Sequence, residues 1–257
     1  MADQVWTNWE FWSALVAGIA LVKSEFPPIS NLFGRPRIEI EVFGKVGIFH
    51  HLGNPNVNIF LSLTNIGKRD VKINKIDVSL ANENGDTLNL PAQAFFPDMT
   101  KNDKVIFSPF KLSSGSDWKY AVQCFNPFSR EDDEESRRLS LAIKQNIQAK
   151  ITARTTDEKK ELVYADAECI QRLTEFCERH YKWRRGEYML SLRVQTNRHD
   201  VSAVKKFRFT LYDSDILYLK NITDGYKCGA GIYYPNADIQ TLWIPMTENS
   251  GAETTNE

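Results

Sequence analysis

VNIFLSLTNIGKRDVKINKIDVSL, residues 57–80, decides the fold. Val57, Ile59, Leu61 and Leu63 alternate with Asn58, Phe60, Ser62 and Thr64. A period of two places one face of a strand in a core and the other outside it. Asn65-Ile66-Gly67 supplies turn chemistry, and Val71 and Ile73 resume the alternation. Ile76, Val78 and Leu80 continue it out of phase, so the slip at Asn74-Lys75 predicts a β-bulge or a strand break.

The same pattern extends outward. Upstream, Ile38, Ile40 and Val42 form a half-buried strand, followed by a turn-rich loop, FHHLGNPN. Downstream, Asn84-Gly85 is a hairpin signal before Leu88 and Leu90, Val105 to Phe110 is another strand, and Trp118, Tyr120, Val122 and Cys124 alternate. Short strands separated by Gly, Asn and Pro predict an antiparallel β-sandwich. The unit from Asn58 to Leu80 resembles the strand–NxG–strand unit of immunoglobulin-like modules, though the Cys–Trp–Cys signature of antibody-type domains is absent.

Beyond Asn126 the period changes. Ser129 can cap a helix over 129–146 whose first turns hold the acids from Glu131 to Glu135 and whose later turns hold Arg137, Arg138 and Lys144, as the helix dipole favours. Ile147, Ala149, Ile151 and Ala153 then alternate as a strand, with Leu162 to Tyr164 returning. Ala167, Ile170, Leu173, Cys177 and Tyr181 lie on one face of a helix over 166–182. Two more strands centre on Tyr188 to Val194 and Phe207 to Leu211; Asp213 or Ser214 caps a short helix to about Asn221, and KCGAGIYYP is turn and strand. Residues 129–183 are either an insertion into one sandwich or the start of a second domain. The expected organisation is therefore an anchor and connector over 1–36, a mainly β body with helices over 37–245, and a disordered tail over 246–257.

The N-terminus reads differently. In WTNWEFWSALVAGIALVK, residues 6–23, Trp6, Trp9 and Trp12 form an aromatic belt ahead of an apolar run containing Phe11, Leu15, Val16, Ile19, Leu21 and Val22, and Lys23 can snorkel at the far end. From Val5 to Val22 this is about 27 Å of helix, close to a bilayer core. A single-pass transmembrane helix is the reading adopted. An interfacial helix or a buried oligomer helix would use the same residues, and a signal peptide would want a basic start that MADQV lacks. Lys23, Arg35 and Arg37 all follow the run, which places the body in the cytoplasm and the protein in the inner membrane. Ala14, Ala17, Gly18 and Ala20 are small enough for close helix packing, and hence for a homo-oligomer.

Net charge is −1 with 25% charged residues, which removes the basic footprint expected of a nucleic-acid binder. The four cysteines form no CxxC pair, arguing against zinc ribbons. The dinucleotide, P-loop, GxSxG and HExxH fingerprints are all missing, so no cofactor, metal or small-molecule ligand is indicated. Two weak catalytic constellations remain. Cys177 and His180 share a helix face; His50 and His51 are adjacent, but point to opposite sides if extended, and surface-loop histidines are expected there. Arg35, Arg37, Lys182, Trp183, Arg184 and Arg185 are the candidates for contact with anionic lipid. The expected function is a membrane-anchored, non-enzymatic interaction, adaptor or sensor module with a protein partner, a layout compatible with a membrane effector in bacterial stress or antiviral defence. An enzyme assembled around Cys177 and His180, or His50 and His51, is the alternative.

Overall fold

The computed structural model describes residues 35–98, 103–154, 162–234 and 241–249, together with Trp9, Trp12, Ser13, Val16 and Ala17. Between Arg35 and Asn249 these residues form a mainly β protein with three α-helices. The strands are β1 (Ile38–His51), β2 (Asn54–Asn65), β3 (Val71–Asn82), β4 (Thr87–Phe96), β5 (Val105–Ile106), β6 (Phe110–Leu112), β7 (Asp117–Phe125), β8 (Gly186–Thr196), β9 (Ala203–Leu211), β10 (Leu242–Pro245) and β11 (Thr247–Glu248). The helices are α1 (Arg130–Thr152), α2 (Ala167–His180) and α3 (Asp213–Tyr226).

The ladder runs β10-β1-β2-β7-β4-β3-β8-β9-β11, with antiparallel neighbours throughout. Two segments change partners and bend this ladder towards a barrel. In β4, Thr87 to Pro91 pair with β3, while Ala92 to Phe96 pair with β7 across an irregularity between Ala92 and Ala94. At the C-terminus, Pro245 faces Lys45 of β1, the Met246 N–H donates to the Gly44 carbonyl at 3.0 Å, and Thr247 faces Arg208 of β9. One chain segment thus covers both outer edges, and the sheet nearly closes, removing the edges that two separate sheets would leave open. Inside, Val57, Ile59, Leu61 and Leu63 meet Ile73, Ile76, Val78 and Leu80 in a single core, as the alternation in residues 57–80 predicts. The register shift opposite β8 falls between Ile73 and Lys75, where the apolar phase slips.

Several expectations are corrected. α1 does not yield to a strand at Ile147 but continues to Thr152. Ile143 and Ile147, four apart, are buried in a second core with Leu173, Phe176 and Tyr226, and the period of 3.6 prevails over the alternation that Ile147 to Ala153 also permits. Leu162 to Tyr164 pairs with no strand; Val163 and Ala165 instead enter this second core. Residues 229–234 form tight turns, helped by Gly229 and Gly231 at positive φ. The tail cannot start at Met246, which is buried and followed by β11. α3 starts one residue after Tyr212, whose N–H donates to Asp215, and runs on to Tyr226. The Ser129 cap on α1 is present, its Oγ accepting from the Asp132 N–H at 3.1 Å.

Candidate functional site

The turn between β1 and β2 locks the barrel to the helices. Leu52 and Gly53 both have positive φ. Gly53 lies so close to α2 that a Cβ there would meet the Cys177 carbonyl oxygen at 2.1 Å, so the position requires glycine. The Tyr226 hydroxyl donates to the His50 carbonyl at 3.2 Å and accepts from the Leu52 N–H at 3.1 Å. The His50 Nδ1 accepts from the Gly53 N–H at 3.1 Å, and its Nε2 donates to the Leu219 carbonyl at 2.9 Å. Both ring nitrogens are used by the neutral imidazole, whose proton sits on Nε2. Tyr181 and Tyr226 stand edge-on to the ring at 5.4 and 6.1 Å. Burial pushes the His50 pKa down to about 4, the Leu219 carbonyl opposing and His51 adding to the fall.

A cleft of about 980 Å³ opens beside this lock, between α1 and the outer face of β1, β2, β7 and β4. Its floor holds Asn56 and Gln123, 2% and 5% exposed, on adjacent strands; Gln123 Nε2 donates to Asn56 Oδ1 at 2.8 Å. Asn56 in turn donates to the Asn54 carbonyl at 3.0 Å. Phe49, Phe125 and Phe128 line the cleft, and Ile106 and Leu141 stand at it with most or half of their surface exposed. α1 contributes Asp133, Arg137, Ser140 and Lys144, residues spaced by three and four on one helix face. His51 and Lys104 enter from the sheet side. Desolvation within the concavity lowers the pKa of both, and Lys104 also depresses that of His51.

The residues singled out from sequence are dispersed. His50 and His51 end β1 rather than standing in a loop; His50 is fully buried, against expectation, while His51 is exposed and lines the cleft. Cys177 is buried behind Gly53, and desolvation raises its thiol pKa to about 12, the opposite of an activated thiolate. His180 packs against Phe176 and Phe128, ring centroids 4.5 and 4.9 Å away, with Nε2 3.4 Å from Asp132 Oδ1. Its pKa is lowered, chiefly by desolvation.

Trp183 belongs to the core. It is 2% exposed and its indole N–H donates to the Phe49 carbonyl at 3.0 Å, so it is withdrawn from any lipid surface. Lys182, Arg184 and Arg185 flank it ahead of β8, at the helical end of the barrel. Arg35 and Arg37 are at the other end, where their carbonyls accept from Lys68 and Gly67 in the β2–β3 turn. Of the anchor residues, Trp9, Trp12 and Val16 are helical and exposed; Trp6, Phe11, Leu15, Ile19, Leu21, Val22 and Lys23 lie outside the described residues. Among the described residues no helix is long and apolar enough to cross a membrane, and no group of three or more His, Cys, Asp or Glu could hold a metal ion. The chain matches no protein-family model and no curated protein sequence.

The cleft escapes a linear reading because its floor comes from the outer positions of strands distant in sequence. One local signal was present: Asp133, Arg137, Ser140 and Lys144 form a second, polar stripe beside the apolar stripe of α1.

Proposed function

We propose that the protein is a non-enzymatic interaction or sensor module held at the inner face of the cytoplasmic membrane by residues 6–23, with its β body in the cytoplasm. The observation that carries this is the charge at the end of the barrel where the chain enters from the N-terminal segment. Arg35 and Arg37 are exposed there, and the adjoining turn and start of β3 add exposed Lys68, Arg69 and Lys72. Arg198 joins them from the β8–β9 connection, since β8 ends opposite the start of β3. Of the acids at this end, Asp70, Asp117 and Asp200 are paired with Lys111 at 2.5 Å, Lys119 at 2.8 Å and Arg198 at 3.2 Å, and Glu39 lies opposite Thr64, so the cations remain in excess. Ile66 protrudes at the tip of the same turn, an apolar residue among cations. A basic rim with an apolar tip, next to a segment carrying an aromatic belt, suits an anionic headgroup layer. The adaptor reading is favoured over the enzyme by the burial of Cys177, which pushes its thiol pKa up to about 12, and by the packing of the His180 ring against Phe176 and Phe128.

The test is membrane extraction. Full-length chain and a version lacking residues 1–33 are made in cells, and the membranes are washed with alkaline carbonate. Only the full chain is expected to stay in the pellet; its release by the wash would overturn integral anchoring. A reporter fused after Glu257 reads the side of the body, and an external signal would overturn the orientation.

A further inference from the structure

We propose that the cleft under α1 is a binding site for a small organic anion with a planar, hydrogen-bonding ring, the chemistry of a nucleotide. The size fits: about 980 Å³ lies at the upper end of small-molecule sites. So does the balance of charge. Lys104, Arg137 and Lys144 converge on the cleft from two sides, and Asp133 is the one acid among the described residues lining it. That acid is already engaged by Arg137, one helical turn along. Neither Lys104 nor Lys144 has a carboxylate partner among the described residues. Lys104 instead lies 5.6 Å from the centroid of the Phe96 ring. Unneutralised cations at a concave, partly desolvated surface favour a ligand that carries the missing negative charge.

The floor argues for the ring. Buried carboxamides are found where they have partners, and a pair of them offers both donors and acceptors. Asn56 and Gln123 are held by each other and by the Asn54 carbonyl, which fixes their orientation before any ligand arrives. Gln93 adds a third amide from β4. Phe125 and Ile106 supply apolar surface beside them for the faces of a flat body. An acyl chain would press carbon against Gln93 and the remaining amide hydrogens of Asn56 and Gln123, and a bare phosphate would leave most of the cleft unfilled. This inference does not depend on how the chain meets the membrane, because the cleft and the basic rim lie at different ends of the barrel.

The experiment uses the full chain purified in detergent micelles. Its melting temperature is followed against ATP, GTP, CTP and UTP, with inorganic pyrophosphate and hexadecanoate as the two partial chemistries. At least one nucleotide is expected to raise the melting temperature in a saturable manner, more than pyrophosphate at equal concentration. The Lys104→Glu and Lys144→Glu variants are each expected to weaken that nucleotide at least tenfold with an unchanged melting temperature in its absence. Arg193→Glu, on the exposed face of β8, serves as the control and should bind normally. No response to any nucleotide at millimolar concentration overturns the proposal. So does a response to pyrophosphate alone, to hexadecanoate alone, or a nucleotide response that both lysine variants retain. Carbonate extraction reads the membrane attachment separately, so either idea can fail while the other stands.

Discussion

Acid should loosen the joint between barrel and helices through one residue, His50. Its ordinary pKa is 6.5, and in the fold it is about 4 because the ring is buried with both nitrogens committed to neutral-state hydrogen bonds. Between these values the unfolded chain takes up a proton that native His50 refuses. Stability is therefore complete above the unfolded pKa and is lost as pH falls from about 6.5 towards 4. At pH 5 the difference amounts to about 30-fold in the folding equilibrium, or about 2 kcal/mol. For a chain of this size that is a fall of about 4–8 °C in melting temperature.

Melting of the full chain in detergent, followed by tryptophan fluorescence from pH 7.5 to 5, measures this fall. Other histidines act in the same direction: the pKa values of His51 and His180 are also lowered. The decisive quantity is consequently the difference between the native chain and His50→Gln. Glutamine can still donate to the Leu219 carbonyl but cannot be protonated. The variant should be less stable at pH 7.5 and should lose about 2 kcal/mol less on acidification. Parallel pH profiles for the two proteins would refute the reasoning, because they would mean that native His50 accepts a proton as readily as the unfolded chain does.

Gly53→Ala should destabilise the chain by about 3 kcal/mol, through positive φ and the collision with the Cys177 carbonyl, seen as a lower melting temperature. Trp183→Phe leaves the Phe49 carbonyl without its indole donor inside the core and should cost about 2–3 kcal/mol in the same assay. Truncation before Leu242 removes buried Ile244 and Met246, worth about 4 kcal/mol, and bares the edges of β1 and β9, so light scattering should report aggregation. In native protein a thiol reagent should modify Cys169 and Cys228, which are partly exposed, well before Cys124 and Cys177, whose pKa values burial raises; equal rates at all four would contradict the packing.

The strands were legible because their side chains answer to one local rule. Val57 to Leu63 and Ile76 to Leu80 alternate, and the burial in the fold follows them except at Ser62, an outer position that is also covered. Residues 147–153 were not legible, since isoleucine and alanine there satisfy a strand's alternation and, through Ile143, Ile147 and Ile151, a helix's stripe. Only the presence of α2 and Tyr226 on one side decides between them. The near-closure of the barrel was also hidden. β10 and β11 together amount to six residues with one residue between them, too short for periodicity to register, and their value lies in reaching β1 and β9 at once.

His50 shows why the candidate sites were misplaced. In sequence it stands in FHHLGNPN, where Gly, Asn and Pro all signal an exposed turn. The turn is real, but His50, Leu52 and Gly53 within it are buried, because helices from the second half of the chain pack onto it. The residues that make it a lock, Leu219, Thr223 and Tyr226, lie at least 169 positions away. β1 then gives the protein its polarity. It begins beside Arg37 in the basic rim and ends with Phe49 and His51 at the cleft and His50 in the lock. Fourteen residues of extended chain span about 40 Å, so the surface suited to a membrane and the surface suited to a ligand are held apart by one strand. On the proposed reading, a body built this way would keep its cleft clear of the headgroups with the basic rim against them, the arrangement required of a module that binds something in the aqueous phase from a fixed place on a membrane.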